Sequence, residues 1–155
     1  MDIRKAANKD ITAILNLLQQ VNLIHHNGRP DLFNVGTKYT KEQLENIICD
    51  NDRPILVADD NGVIKGYAFC IYQTHENETI LTDIKTLYLD DLCVDEKYRG
   101  EHIGKKLYDA VLKLAKENGC YNMTLNAWCF NQRAVGFYEK CGMQPLKIYM
   151  EKVIE

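Results

Sequence analysis

The sequence predicts an α/β (α+β) fold, with a central mixed, mostly antiparallel sheet of six to seven strands and about four flanking helices. Three observations carry that expectation. In RPILVADDNGVIKGYAFCIY, Asn61-Gly62 joins two apolar runs, the signature of a two-residue type I′ hairpin. Two later strand-like runs, TLYLDDLCV and NMTLNAW, are each followed by a helical stretch. The whole order reads β-α-α-β-β-β-α-β-α-β, with no repeat, linker or low-complexity segment, so residues 1–155 form one domain.

Each element has its own reason. MDIRKA alternates weakly and reads as an edge strand. Asn8 is a good N-cap with Asp10 in the first turn, and Ile11, Ile14, Leu15, Leu18 and Val21 recur at helical spacing. HHNGRPDLFNVG breaks that period, and Gly28, Pro30 and Gly36 make it a loop. Thr40 with Gln43 forms a capping box for a short helix through about Ile48. After the hairpin and TLYLDDLCV, Ile103, Leu107, Ala110, Val111 and Leu114 share one face of a helix that Gly119 stops. NMTLNAW is a strand. A short helix runs from Asn131 to about Cys141, with Gly142 just beyond, and PLKIYMEKV is a closing strand.

Composition narrows the function. Hydrophobic residues make up 46% and charged residues 26%, the balance of a globular protein with a real core. The net charge of -3 provides no basic field for nucleic acid, and no apolar run is long enough for a membrane. MDIRKAANKD lacks the apolar core of a secretory signal, so a cytoplasmic chain is expected. The six cysteines show no C-x-x-C and no histidine partner; neither a metal site nor a disulfide framework is expected, only reduced, buried thiols.

The most informative stretch is DEKYRGEHIGKKL, Asp95 to Leu107, where Gly100 and Gly104 lie between basic residues at the start of a helix. Bare backbone at a helix N-terminus suits an anion, most often a phosphate. A P-loop does not fit: the glycines are one residue too close, and Lys106 stands where the magnesium-binding hydroxyl belongs. A Rossmann fingerprint fits neither in spacing nor in position. A tight strand-to-helix turn without a ligand is the plainer alternative.

The downstream residues change the balance. YRGEHIG after DLCVDE, followed by NQRAVGFYEKCGM after the next strand, resembles the GNAT superfamily of N-acetyltransferases. That family's phosphate loop has Arg or Gln, two residues, Gly, one residue, then Gly or Ala; Arg99, Ile103 and Gly104 match it. Its later motif, N-x-x-A-x-x-F-Y-x-x-x-G followed by Phe or Met, is met by Asn131, Ala134, Phe137, Tyr138, Gly142 and Met143. One departure is clear. The middle glycine is His102 here, and a helical residue with an outward Cβ would still present its N–H.

The resemblance implies acetyl-coenzyme A (acetyl-CoA) as cosubstrate. Backbone N–H groups from Arg99, Gly100, Glu101, His102, Ile103 and Gly104 would converge on its pyrophosphate. By the same resemblance, backbone of Leu92, Cys93 and Val94 would meet the acetyl carbonyl and pantetheine, and Asn131 would contact the cofactor, although it is equally a good N-cap. Tyr138 matches the tyrosine that protonates the departing sulfur; its i, i+3, i+4, i+7 stripe with Ala134, Phe137 and Cys141 is also what a plain core residue would show. Asp90 and Asp91 close the preceding strand. Alternation sends only one toward the cleft, and Asp90 matches an acid carried by related enzymes that acetylate small amines, so Asp90 is the expected base. Cys93 has no local histidine to activate it, which argues against a route through its thiol. The expected activity is direct acetyl transfer to a primary amine, on a small cationic molecule or on a protein or peptide, with a homodimer left open. The alternative is a non-catalytic coenzyme A-binding module.

Overall fold

The computed structural model describes residues 1–155. Five strands and four helices follow one another as β1 (Asp2–Lys5), α1 (Ile11–Gly28), α2 (Lys41–Ile48), β2 (Ile55–Asp60), β3 (Val63–Gln73), β4 (Thr86–Val94), α3 (Ile103–Glu117), β5 (Asn122–Leu125) and α4 (Gln132–Lys140). The strands lie side by side in chain order. The first three junctions are antiparallel and β4–β5 is parallel, the mixed, mostly antiparallel sheet that was expected. No helix is long and apolar enough to cross a membrane.

Alternation along the central strands builds two cores. Val57, Tyr67, Phe69 and Cys93 face Ile14, Leu17, Leu18 and Leu44 of α1 and α2. Leu56, Ala68, Cys70, Leu87 and Leu89 face Ile103, Leu107 and Val111 of α3. The sheet is thus sandwiched between helical layers. Local signals read from the sequence hold where they should: Asn61 (φ 53°) and Gly62 (φ 89°) turn the β2–β3 hairpin, and Thr40 and Gln43 exchange capping hydrogen bonds at 3.2 and 2.9 Å.

Four expectations give way. The sheet has five strands rather than six to seven, because residues 143–155 join no strand and β5 ends at Leu125 rather than Trp128. Asn8 opens a 3-10 turn instead of capping α1, and Asp10 stands at the cap position. Asp10 is buried, and Arg4 reaches both its oxygens at 2.8 and 2.9 Å, holding its carboxyl below the usual carboxylate range. α1 also runs on through His25 and His26 to Gly28, so only residues beyond it form the loop; Pro30 fits the stop. Finally, β4 is bulged. Phe69 pairs with Asp91 and Cys70 with Leu89, which leaves Asp90 without a partner on β3.

One close approach holds β3 against β4 beside the bulged region. A Cβ on Gly66 would lie 2.7 Å from the Cys93 carbonyl oxygen and 3.1 Å from Leu107. Backbone cannot yield there without shifting a strand. Gly66→Ala should therefore lower stability by roughly 1–3 kcal/mol in urea unfolding, with little change in m-value.

Candidate active site

β4 and β5 pair only from Thr86–Asn122 to Leu89–Leu125. Beyond that point β4 continues along β3 to Val94, while the other chain turns off toward α4. The stretch Asp90–Val94 consequently has a free edge on the β5 side. The fork closes at its base, where the Asn126 amide donates to the Tyr88 hydroxyl at 3.0 Å. Leu92, Cys93 and Val94 lie along this free edge. The Cys93 side chain, in contrast, is buried with its thiol 3.6 Å from the Leu17 carbonyl. Burial pushes that thiol up to about 12, far from a thiolate at neutral pH.

The open strand leads into the glycine-bearing loop. Glu96–Tyr98 forms a 3-10 turn, with the Asp95 carboxylate accepting from the Lys97 N–H at 3.0 Å. Gly100 then takes φ 90°, and His102 takes φ 60° at the N-cap of α3. His102 is therefore left-handed, not helical as expected; it adopts the backbone that the family's glycine would occupy. The N–H groups from Arg99 through Lys105 find no backbone acceptor. Ile103 anchors the turn in the core. Unpaired donors wrapped around the start of a 15-residue helix fit a pyrophosphate, as do the positive helix end and the narrow fork behind it.

Two residues on or beside α4 complete the fork. Asn131 caps the helix, its side-chain oxygen accepting from the Ala134 N–H at 3.2 Å. Tyr138 packs against the α3-side core and meets Phe137 edge-on at 5.1 Å. Burial, then the charge of Asp91, push its hydroxyl above the ordinary phenol range, so it keeps its proton at neutral pH. A Cβ on Gly104 would just touch Phe137 at 3.5 Å and Val94 at 3.6 Å, so α3, α4 and β4 leave room there for a methyl group but not for a larger side chain.

The bulge changes the reading of the two acids. Simple alternation would put Asp90 and Asp91 on opposite faces; instead both reach the α1 side. Asp90 accepts from the Tyr39 hydroxyl at 2.8 Å and from the Lys38 ammonium at 2.9 Å, and Tyr39 stacks on Phe69. Asp91 accepts from the buried Tyr67 hydroxyl at 2.7 Å. Burial raises the Asp91 carboxyl to about 6, against the opposing pull of Tyr67 and of Lys38.

Trp128 joins a cluster that sequence reasoning did not bring together. His25, Phe33 and Trp128 pack together, with ring centroids 5.1 Å apart for His25–Phe33 and 5.3 Å for Phe33–Trp128. Burial, then Lys38, lower the His25 pKa. The available signal was helical spacing: His25 falls four and seven residues after Val21 and Leu18. On the loop after α1, Asp31 is held by Arg29 at 2.7 Å.

The acetyltransferase (GNAT) family matches residues 21–143. The chain belongs to that family. Acetyl-coenzyme A is the cosubstrate of GNAT enzymes, in keeping with the loop and fork just described. The chain is similar to the glucosamine 6-phosphate N-acetyltransferase of Arabidopsis thaliana, 37% identical over 71 residues, 46% of each chain. It is similar to the thialysine N-epsilon-acetyltransferase of Bos taurus, 36% identical over 62 residues, covering 40% of this chain and 36% of that one. These matches span less than half the length of either relative. A Bacillus halodurans protein, crystallised as a tetramutant, matches over 99% of this chain and 100% of its own, with a TM-score of 0.94 and 28% identity.

The GNAT loop yields a paired test. Gly100→Ala forces a Cβ into positive φ, at a cost of roughly 1–2 kcal/mol, and should weaken coenzyme A binding about five- to thirtyfold. His102→Gly relieves the same kind of strain. It should keep the affinity and raise stability by up to about 1 kcal/mol. Calorimetric titration and thermal unfolding of both variants check this; a loss of affinity in His102→Gly would make the imidazole itself a ligand.

Proposed function

We propose that this GNAT protein transfers the acetyl group of acetyl-coenzyme A directly to a small, cationic primary amine. One observation carries the reading. The free edge of β4 runs between two groups whose environments push them to opposite tasks: Asp91, a base from about pH 6 upward, and Tyr138, a phenol that stays protonated. Arg99 through Lys105 would hold the pyrophosphate, and the backbone of Leu92–Val94 would line the fork. Donors along that edge meet oxygen charge as it develops.

The chemistry then balances. An ammonium at the site gives a proton to Asp91. The freed nitrogen bonds to the acetyl carbon as the carbon–sulfur bond breaks, the leaving sulfur takes the Tyr138 proton, and the nitrogen gives its second proton to solvent to leave the neutral amide. Asp91 and Tyr138 return to their starting states through solvent. The buried thiol of Cys93 takes no part.

Lys38 supports the choice of acceptor. Its alkylammonium rests on Asp90, a carboxylate 11% exposed, beside Asp91. A substrate ammonium that displaced Lys38 would find the same partner. Asp90, the base expected from sequence, thereby becomes the group that receives the cation, while Asp91 takes the proton. The two curated relatives are named for glucosamine 6-phosphate and thialysine, both carrying primary amines, which favours a small acceptor over a protein one.

A panel of amines assayed for free thiol release tests the activity; no release with any of them would leave a coenzyme A-binding module. The acid–base assignment has its own signature. The base works unprotonated, so kcat/KM should rise with pH through about 6, the value given by burial of Asp91. Asp91→Asn should remove that limb and lower kcat about 10²–10⁴-fold. Asp90→Asn should mainly raise KM. The reverse pattern would return the base to Asp90. Tyr138→Phe should lower kcat roughly ten- to a thousandfold with coenzyme A affinity unchanged.

A further inference from the structure

Lys38 is set apart from the other paired lysines by what it rests on. Its ammonium lies 2.9 Å from both oxygens of Asp90, a carboxylate 11% exposed. Lys41, Lys65, Lys105 and Lys113 pair with Glu45, Asp60 and Glu101, Asp109 and Glu117, all at least 31% exposed. Those are surface pairs of small energetic weight. Asp90 differs because the bulge leaves it without a partner on β3, and because Asp91 follows it directly along β4. Lys38 thus brings a primary ammonium to the start of the free edge of β4.

The backbone that carries Lys38 is lightly held. Residues 34–39, between α1 and α2, make no backbone–backbone hydrogen bond. The Gly36 N–H donates to the Asn22 side-chain oxygen at 2.9 Å, and the Thr37 hydroxyl donates to the Tyr39 carbonyl at 2.9 Å. Tyr39 anchors the far end, its hydroxyl donating to Asp90 at 2.8 Å and its ring stacking on Phe69. A lysine stem on such a segment can shift its nitrogen along the strand without breaking a ladder. Burial draws the Lys38 pKa down, but the hydrogen bond and charge of Asp90 carry it above the usual lysine value. Lys38 therefore rests protonated and, like a free amine, needs a base before it can react.

We propose that Lys38 is a self-modification site: the protein transfers an acetyl group from acetyl-coenzyme A to its own Lys38 Nζ. This rests on the acetyl-transfer reading of the site and extends it to an acceptor that the chain itself supplies. The Nζ stands where the substrate ammonium was assigned, so the same groups serve it. It gives one proton to Asp91, bonds to the acetyl carbon as the carbon–sulfur bond breaks, and releases its second proton to solvent. The sulfur takes the Tyr138 proton, and Asp91 and Tyr138 are restored through solvent. The products are an amide on Lys38 and coenzyme A with a free thiol. The amide is uncharged, so the modified side chain no longer competes with a substrate ammonium for Asp90.

Intact-mass spectrometry of the full chain, incubated with acetyl-coenzyme A and no other amine, tests it, with peptide mapping to locate the label. Each chain should gain a single acetyl group, on Lys38, at a rate per chain that does not change with protein concentration. Lys41, whose side chain is 73% exposed, reports plain chemical acetylation and should stay at background. Tyr138→Phe should slow labelling of Lys38 at least about tenfold and leave Lys41 unchanged. Lys38→Arg, which keeps a cation for Asp90, should abolish the gain. A chain purified with Lys38 already acetylated supports the proposal if the Tyr138→Phe chain is purified without it. Label shared equally by Lys38 and Lys41, label indifferent to Tyr138→Phe, a gain that survives Lys38→Arg, or a rate that climbs with protein concentration overturns the proposal. The amine panel, run in parallel, separates it from the reading beneath it. Thiol release with a small amine while Lys38 stays unlabelled sinks self-modification alone. Lys38 labelled with every panel amine inert sustains self-modification and overturns the small-amine acceptor. No label and no release overturns both.

Discussion

Beyond Leu89, β4 has a hydrogen-bonding partner on one side only. A backbone edge left unpaired inside a fold needs another partner, and in this protein the edge opens toward the N-terminus of α3. The remaining site features follow from that parting. The β5 chain leaves the sheet and returns as α4, bringing Asn131 and Tyr138 to the far side of the gap. The β4 chain continues into the turn at Gly100 and His102, whose φ values are positive and whose N–H groups have no backbone acceptor. Phe137 of α4 lies close enough to α3 that a Cβ on Gly104 would just touch it.

The bulge at Asp90 is the second consequence. By adding one residue to β4, it turns two neighbouring acids onto one face, where normal pleating would separate them. Their environments then diverge. Asp90 keeps an ammonium and a phenol as partners. Asp91 sits deeper, and its folded pKa of about 6 lies above its unfolded value of 3.8. The sign of the stability effect is therefore unfavourable to the charged form: this group supports the fold most below about pH 4 and loses that support as pH rises to about 6. The loss is roughly 2–3 kcal/mol. That cost leaves a carboxyl that titrates near neutrality, the property the proposed base requires.

Features written in neighbouring residues were legible in the sequence. The Asn61-Gly62 turn, the Thr40–Gln43 capping box, the stop at Gly119 and the Asn131 cap each depend on a few adjacent positions. The glycine-bearing loop and the Asn131–Met143 motif, taken together, were enough to indicate the family. Features set by distant parts of the chain were not legible. The bulge depends on the register of β4 against β3; the cluster of His25, Phe33 and Trp128 joins positions about 100 residues apart. Asp10 looked like a first-turn acid because its ion pair with Arg4 requires β1 to be in place. PLKIYMEKV has the alternation of a strand, yet it joins none, because alternation along a segment does not supply the edge it would pair with.

The central claim is that one continuous strip, the free edge of β4 and the turn that follows, receives acetyl-coenzyme A. Backbone amide shifts followed by NMR during a coenzyme A titration test it directly. The account predicts that the largest changes fall at Leu92–Val94 and Arg99–Lys105, with β1 and the β2–β3 hairpin unmoved. Changes concentrated on β1, α2 or the hairpin, with Arg99–Lys105 silent, would contradict it.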